Sequence, residues 1–233
     1  MRLRTTALWM ACVLAGPAWG DEGPKPPPCG LGHAHAHGEG RHGNPADLTG
    51  YIASQEDEAR AEWQKPDEVL RALDLAPGQV ACDIGAGPGY FTRRLARLLG
   101  ERGRVFAVDV ETAMLAALRE RLEKDGLRNV TPVLAAPADP GLPDAACDLV
   151  LIVDTYHHFP DAPAYLRGLK RLLKAGGRVV NIDFHKRPTP HGPPLEHRVS
   201  REDFIDQARA AGYDVAAEHG FLPYQYFVVL RAR

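Results

Sequence analysis

The sequence predicts a doubly wound α/β domain: a mostly parallel seven-stranded sheet, helices on both faces, and a closing antiparallel hairpin. Three observations predict it. From Gln79 onward, short apolar runs alternate with amphipathic stretches, the pattern of a parallel sheet with crossover helices. Residues 149–153 are apolar without a break, as in a strand buried on both faces. The last two apolar runs, 213–218 and 224–231, are separated by a short turn holding Gly220 and Pro223, which suits a hairpin.

The elements follow in order. Pro66 suits the first turn of a helix, with Asp67 and Glu68 near its positive end; Val69, Leu70 and Leu73 form its apolar stripe, and Pro77-Gly78 closes it. A strand is expected over 80–84 and a helix over 90–99, with Phe91, Leu95, Leu98 and Leu99 on one face. A second strand (104–108) leads to a helix (111–124) carrying Met114, Leu115, Leu118 and Leu122. Strands at 130–135 and 149–153 come next, then a helix over 162–173 ended by Gly176-Gly177, and a fifth strand over 178–184. Ser200 is placed to cap a helix that runs to Gly212, with Asp203 in the reciprocal position of a capping box.

The feature that carries chemistry is the turn over residues 83–90, Asp-Ile-Gly-Ala-Gly-Pro-Gly-Tyr, between the first strand and the first helix of the sheet. Residues without side chains let the backbone turn sharply and come close to a ligand, and amides at a helix start favour an acceptor group. Asp83 can accept from the ligand or its waters. Asp109 ends the second strand, where a carboxylate can hold both hydroxyls of a ribose. Glu111 or Met114 can wall an adenine, and Asp139, after the third strand, can accept from its amino group. A dinucleotide fingerprint would space the glycines G-x-G-x-x-G; here the third glycine comes one residue early and Tyr90 stands in its place.

On these residues, with Asp148-Leu149-Val150 leading to His157-His158, the chain resembles class I S-adenosylmethionine (SAM)-dependent methyltransferases of the small-molecule type 11/type 25 kind, over roughly residues 46–233. The resemblance implies a Rossmann-like sheet of order 3-2-1-4-5-7-6, SAM as methyl donor and an unidentified small-molecule acceptor. It places SAM on Asp83, Gly85, Ala86, Gly87, Gly89, Tyr90, Asp109, Val110, Met114, Asp139 and Asp154. Pro140-Gly141 departs from the family's usual spacing after Asp139. Methyl transfer from a sulfonium needs alignment and exclusion of water, and a base only where the nucleophile arrives protonated. Tyr156, His157 and His158 follow the fourth strand and are candidates for that role; packing at the strand end is the plain alternative. In the loop from His185 to Val199, Lys186 and Arg187 can hold an anionic substrate, and Tyr51 and Trp63 can form a lid.

The amino-terminal stretch is different in kind. Arg2 and Arg4 precede an apolar run from Ala7 to Ala15, broken by Gly16-Pro17 and ended by Ala18-Trp19-Gly20: the layout of a signal peptide over 1–20, too short for a stable membrane span. It predicts a periplasmic or secreted protein, or a cytoplasmic one if the signal is unused. Losing Arg2 and Arg4 shifts the net charge from −2 to −4, which gives no electrostatic case for nucleic acid. Residues 21–45 form a Pro/Gly/His-rich linker without apolar periodicity. Within it His33, His35 and His37 alternate and can share a face around a transition metal. An exported, non-catalytic SAM- or metal-binding protein is therefore the second reading. Cys82 and Cys147 lie in apolar runs and read as buried small hydrophobes, not as a disulfide framework.

Overall fold

The computed structural model describes residues 48–233 apart from 56 and 58. The signal-like segment, the linker and His33, His35 and His37 lie outside the described residues. Seven strands form one sheet in the order β3-β2-β1-β4-β5-β7-β6. They are β1 (Val80–Ile84), β2 (Arg104–Asp109), β3 (Val130–Leu134), β4 (Cys147–Val153), β5 (Leu173–Phe184), β6 (Tyr213–His219) and β7 (Gln225–Ala232). Neighbours from β3 to β5 pair parallel; β7 pairs antiparallel with both β5 and β6. The helices are α1 (Leu48–Ser54), α2 (Arg60–Gln64), α3 (Pro66–Ala72), α4 (Tyr90–Leu99), α5 (Thr112–Asp125), α6 (Ala162–Leu169) and α7 (Arg201–Ala210), with short 3-10 turns at Tyr156–His158, Lys170–Leu172 and Leu195–His197.

The period of two along the strands sorts the core. Cys82, Ile84, Val150 and Ile152 point to the face covered by α6 and α7, where Leu166, Leu169 and Phe204 meet them. Ala81, Leu149, Leu151 and Val180 point to the opposite face, against Val69, Leu73, Phe91, Leu95 and Leu99 of the α3–α4 region. Leu149, Val150, Leu151 and Ile152 are all fully buried, each contributing about 1.5–3 kcal/mol. Strand β1 is hung on β4 by a side chain: Asp148 accepts from the Val80 amide at 2.7 Å and from Lys174 Nζ at 2.7 Å.

Three expectations are corrected. The helix expected over 162–173 gives way to a 3-10 turn at Lys170, and Gly176-Gly177 do not end it. They lie in β5, inside a bulge between Leu173, which pairs with Cys147, and Arg178, which pairs with Leu149. The Ser200 cap is made, its Oγ accepting from the Asp203 amide at 3.0 Å, but the helix stops at Ala210 rather than Gly212. Cys82 and Cys147 are fully buried as expected, yet their sulfurs are joined in a disulfide, because β1 and β4 are neighbours and bring the Cα atoms to 6.1 Å.

Candidate active site at the carboxyl ends of the strands

The glycine turn is built from backbone outward. The amides of Gly85 and Ala86 both donate to the Val108 carbonyl at the end of β2, at 2.8 and 3.0 Å. The Gly87 amide donates to Asp109 Oδ2 at 2.8 Å, and Asp109 Oδ1 accepts from the Glu111 amide at 2.9 Å. Gly85 and Gly87 both have positive φ, 72° and 54°, but for different ends. A Cβ on Gly85 would sit 2.3 Å from Thr155 at the end of β4, whereas a Cβ on Gly87 would meet nothing within 4 Å. Gly85 thus lets two strand ends close together, and Gly87 faces the open cleft.

Carboxylates ring this turn. Asp83 is buried beneath it and accepts from Thr92 Oγ1 at 2.6 Å; burial pushes its pKa up to about 6, against the pull of that hydrogen bond. Burial likewise raises Asp109, opposed by the amides of Glu111 and Gly87. Asp154, just past β4, holds a left-handed backbone (φ 51°), and its amide donates to the Ile182 carbonyl at 2.8 Å. Its Oδ1 is buried with no hydrogen-bond partner, and burial followed by repulsion from Asp183 lifts its pKa to about 6. A ligand donor or cation beside Asp154 would answer that orphaned oxygen. The open space at Gly87, Asp109 at the end of β2 and the unanswered Asp154 together fit a cationic amino-acid nucleoside such as SAM. Val110 is 48 % exposed beside Asp109, while Ala86 and Met114 are buried under the turn and the start of α5.

Two of the predicted residues stand elsewhere, and a third, Tyr90 at the end of the turn, has its ring covered. Asp139 is not brought to the turn: its side chain is 61 % exposed, and it accepts from Arg171 at 2.8 Å and from the Gly141 amide at 3.0 Å. Arg171 precedes β5 at the amino end of the sheet, so the Pro140-Gly141 turn carries Asp139 away from the cofactor end. Tyr156 is wholly buried between Phe159 and Phe204, with its hydroxyl on Gln207 Oε1 at 2.6 Å, and serves the core. Tyr90 is buried too, its ring covered by the guanidinium groups of Arg60 (4.2 Å) and Arg94 (4.0 Å).

His157 is where the sequence placed it, and it has a partner that the sequence reading passed over. Its Nδ1 lies 3.1 and 3.2 Å from the two oxygens of Asp183, the penultimate residue of β5. Both side chains are nearly closed to solvent, at 3 % and 0 %. Burial alone would lower the imidazole pKa; the hydrogen bond and charge of Asp183, with Asp154 behind, raise it instead. One polar atom each from Asp154, His157 and Asp183 lies within 4.8 Å of the others. The signal for Asp183 was present: like Asp109, it is an acid at the carboxyl end of a parallel strand. His157 also lines a cavity of about 310 Å³, with Tyr156, Pro163, Val199 and Gln207 among its walls.

The loop after β5 folds over this end around one guanidinium. Arg198, buried to 6 % exposure, donates to the carbonyls of His185, Arg187, His191 and Pro193 and to Thr189 Oγ1, at 2.7–3.2 Å. Trp63 of α2 stacks on His191 of this loop, with ring centres 5.0 Å apart, and leans on Phe184 and Tyr224. Tyr51 of α1 is near enough to Asp154 and Asp109 for their charges, after burial, to raise its pKa. Tyr51 and Trp63, the residues expected in a lid, thus lie on α1 and α2, near Asp154 and against the loop. Arg187 spends its guanidinium on the Pro223 carbonyl at 2.9 Å, while Lys186 stays exposed.

Residues 81–177 match the family model described as a methyltransferase domain. Among curated proteins, the ubiquinone/menaquinone biosynthesis C-methyltransferase UbiE of Vibrio vulnificus is 34 % identical over 111 residues, 47 % of this chain and 43 % of that protein. UbiE of Shewanella frigidimarina is 31 % identical over 123 residues, 52 % of this chain and 48 % of that one. The chain spans about half the length of the curated relatives it matches. Among solved structures, a SAM-dependent methyltransferase from Aquifex aeolicus superposes with a TM-score of 0.75 at 28 % identity, covering 80 % of this chain and 98 % of that one. The [4+2]-cyclase SpnF is alike in fold alone, with a TM-score of 0.64 at 18 % identity over 79 % of this chain and 92 % of that one.

Proposed function

We propose, from the premise that the chain belongs to the class I SAM-dependent methyltransferases, that it transfers a methyl group from SAM to a small molecule seated at the ends of β4 and β5. The observation that carries this reading is the Gly87 amide fixed on Asp109 with open space beside Gly87, together with the orphaned Asp154 oxygen past the end of β4. SAM supplies an activated methyl group when bound. Asp109 would hold its ribose and Asp154 its cationic end. The lid of α1, α2 and the Arg198 loop would keep water from the reacting atoms. The relatives' names support an acceptor of the quinone-precursor kind, methylated at carbon. Isothermal titration with SAM and with S-adenosylhomocysteine is the test. Saturable heat is expected from the native chain and none from Gly87→Arg; no heat from the native chain refutes the reading.

The same reading extends to location. The signal-like residues 1–20 and the disulfide between Cys82 and Cys147 both support an oxidising compartment outside the inner membrane. Fractionation of the native host, with amino-terminal sequencing of the product, tests it. An intact Met1 in the cytosolic fraction would refute export and leave the methyltransferase reading standing.

A further inference from the structure

A sulfonium donor needs no base when its acceptor arrives as a free anion or an unprotonated lone pair. Yet the cleft holds a buried imidazole aligned by a buried carboxylate, built from the ends of two different strands. We propose that His157 is the general base of the reaction and Asp183 its positioning residue, so that the acceptor carries a phenolic or enolic hydroxyl whose proton must be removed. This inference rests on the methyltransferase reading above.

The geometry supports it in three ways. Asp183 accepts from His157 Nδ1, and its Oδ1 also accepts from the Phe184 amide at 2.8 Å, so the carboxylate is fixed from a second side. With the proton held at Nδ1, the lone pair of the neutral ring lies on Nε2, which is the arrangement a base requires. His157 also lines the 310 Å³ cavity, whose walls mix the apolar Pro160, Pro163 and Val199 with the polar Asp161 and Gln207, as suits a ring that carries a hydroxyl. Tyr156, the other candidate beside it, is engaged with Gln207. The groups facing His157 are Asp183 from β5, Asp154 from the end of β4, Arg198 from the loop, and the His158 ring at 4.2 Å.

The step balances without a further reactant. The acceptor hydroxyl gives its proton to Nε2. The oxyanion's electron pair, at oxygen or at a conjugated carbon, bonds to the methyl carbon. The bond from that carbon to sulfur breaks, and the sulfur keeps the pair as a neutral thioether. Where carbon is methylated, its hydrogen then moves to restore the hydroxyl. The imidazolium, balanced by Asp183, later releases its proton to solvent.

Nitrogen-15 NMR of the full chain saturated with S-adenosylhomocysteine tests this without a known acceptor. The expected result is a neutral His157 protonated at Nδ1, with a titration midpoint that Asp183→Asn lowers by about one pH unit or more. Affinity for S-adenosylhomocysteine should change less than about twofold in that variant, since Asp183 acts through His157 and not on the cofactor. A neutral ring protonated at Nε2, an unmoved midpoint, or cofactor affinity lost with Asp183→Asn would each overturn the proposal. So would quenching of the His157 signals by stoichiometric Mn²⁺, which would make the trio a cation site instead. Absence of S-adenosylhomocysteine binding in the native chain would overturn the underlying reading; binding with the wrong tautomer would overturn this inference alone.

Discussion

Two alanine substitutions only two positions apart, Gly85→Ala and Gly87→Ala, should fail in opposite ways. Both residues have positive φ, so alanine costs about 1–2 kcal/mol at each from the backbone alone. At Gly85 the new Cβ would fall 2.3 Å from Thr155, adding about 1–3 kcal/mol for forcing the β4 end outward. At Gly87 the Cβ meets no protein atom, so nothing is added to stability, but the methyl group projects into the cleft. For a domain of this size a 1 kcal/mol loss lowers Tm by about 2–4 °C. Gly85→Ala should therefore lose roughly 4–20 °C in Tm, and Gly87→Ala only about 2–8 °C, working from the same conversion. Affinity for S-adenosylhomocysteine should fall at least about tenfold in Gly87→Ala, a cost of about 1.4 kcal/mol for displacing the ligand from the turn. Differential scanning fluorimetry with and without ligand reads both quantities. If Gly87→Ala binds as the native chain does, or melts no higher than Gly85→Ala, the division of labour between the two glycines is wrong.

Other perturbations separate the remaining parts. Asp83 has a folded pKa near 6, above its unfolded value, so the stabilisation it gives is full below about pH 4 and is lost as pH rises through 6. Ligand-free protein should accordingly melt lower at pH 7 than at pH 5 from this group, and Asp83→Asn should flatten that slope; a slope unchanged by Asp83→Asn would count against the buried-acid account. Arg198→Met removes five acceptors' shared donor and should cost about 2–4 kcal/mol. It should raise hydrogen exchange in residues 185–198 while sparing β1; uniform exchange across the domain would show that Arg198 does not organise the loop locally. Reduction of the Cys82–Cys147 disulfide, which closes a separation of 65 residues, should lower stability by about 4 kcal/mol. Peptide mapping without reductant should find those two cysteines linked, and finding both alkylated in protein isolated from the native host would reject the pairing.

Much of the fold was legible because it is local or periodic. The strand at Val80–Ile84 and the helix at Tyr90–Leu99 have the bounds that apolar period and glycine punctuation imply. The sheet order 3-2-1-4-5-7-6 came with the resemblance and is the order observed. What was not legible depends on contacts between distant segments. Nothing near Gly176 says that Leu173 pairs with Cys147, so a strand with a bulge read as a helix with a stop. Nothing near Asp139 says that Arg171 claims it. The cysteines at 82 and 147 looked like core residues and are, but their pairing follows from which strands are neighbours. In the candidate site, the donor half around Gly85, Gly87 and Asp109 was visible as a motif. The acceptor half was only half visible, because His157 carries a conspicuous neighbour, His158, while Asp183 hides inside an apolar run as an acid at a strand end.

The Arg198 loop has a consequence for how such a chain can change over generations. Four of the five groups that Arg198 gathers are backbone carbonyls, which every amino acid supplies. The shape of the loop is thus recorded in few places: in Arg198, in the His191 ring that stacks on Trp63, and in Gly192, where a Cβ would fall 2.6 Å from Phe184. An exposed side chain such as Lys186 is at liberty to drift without the loop collapsing. Descendants of this chain could trade one acceptor for another along that stretch while inheriting the donor half intact.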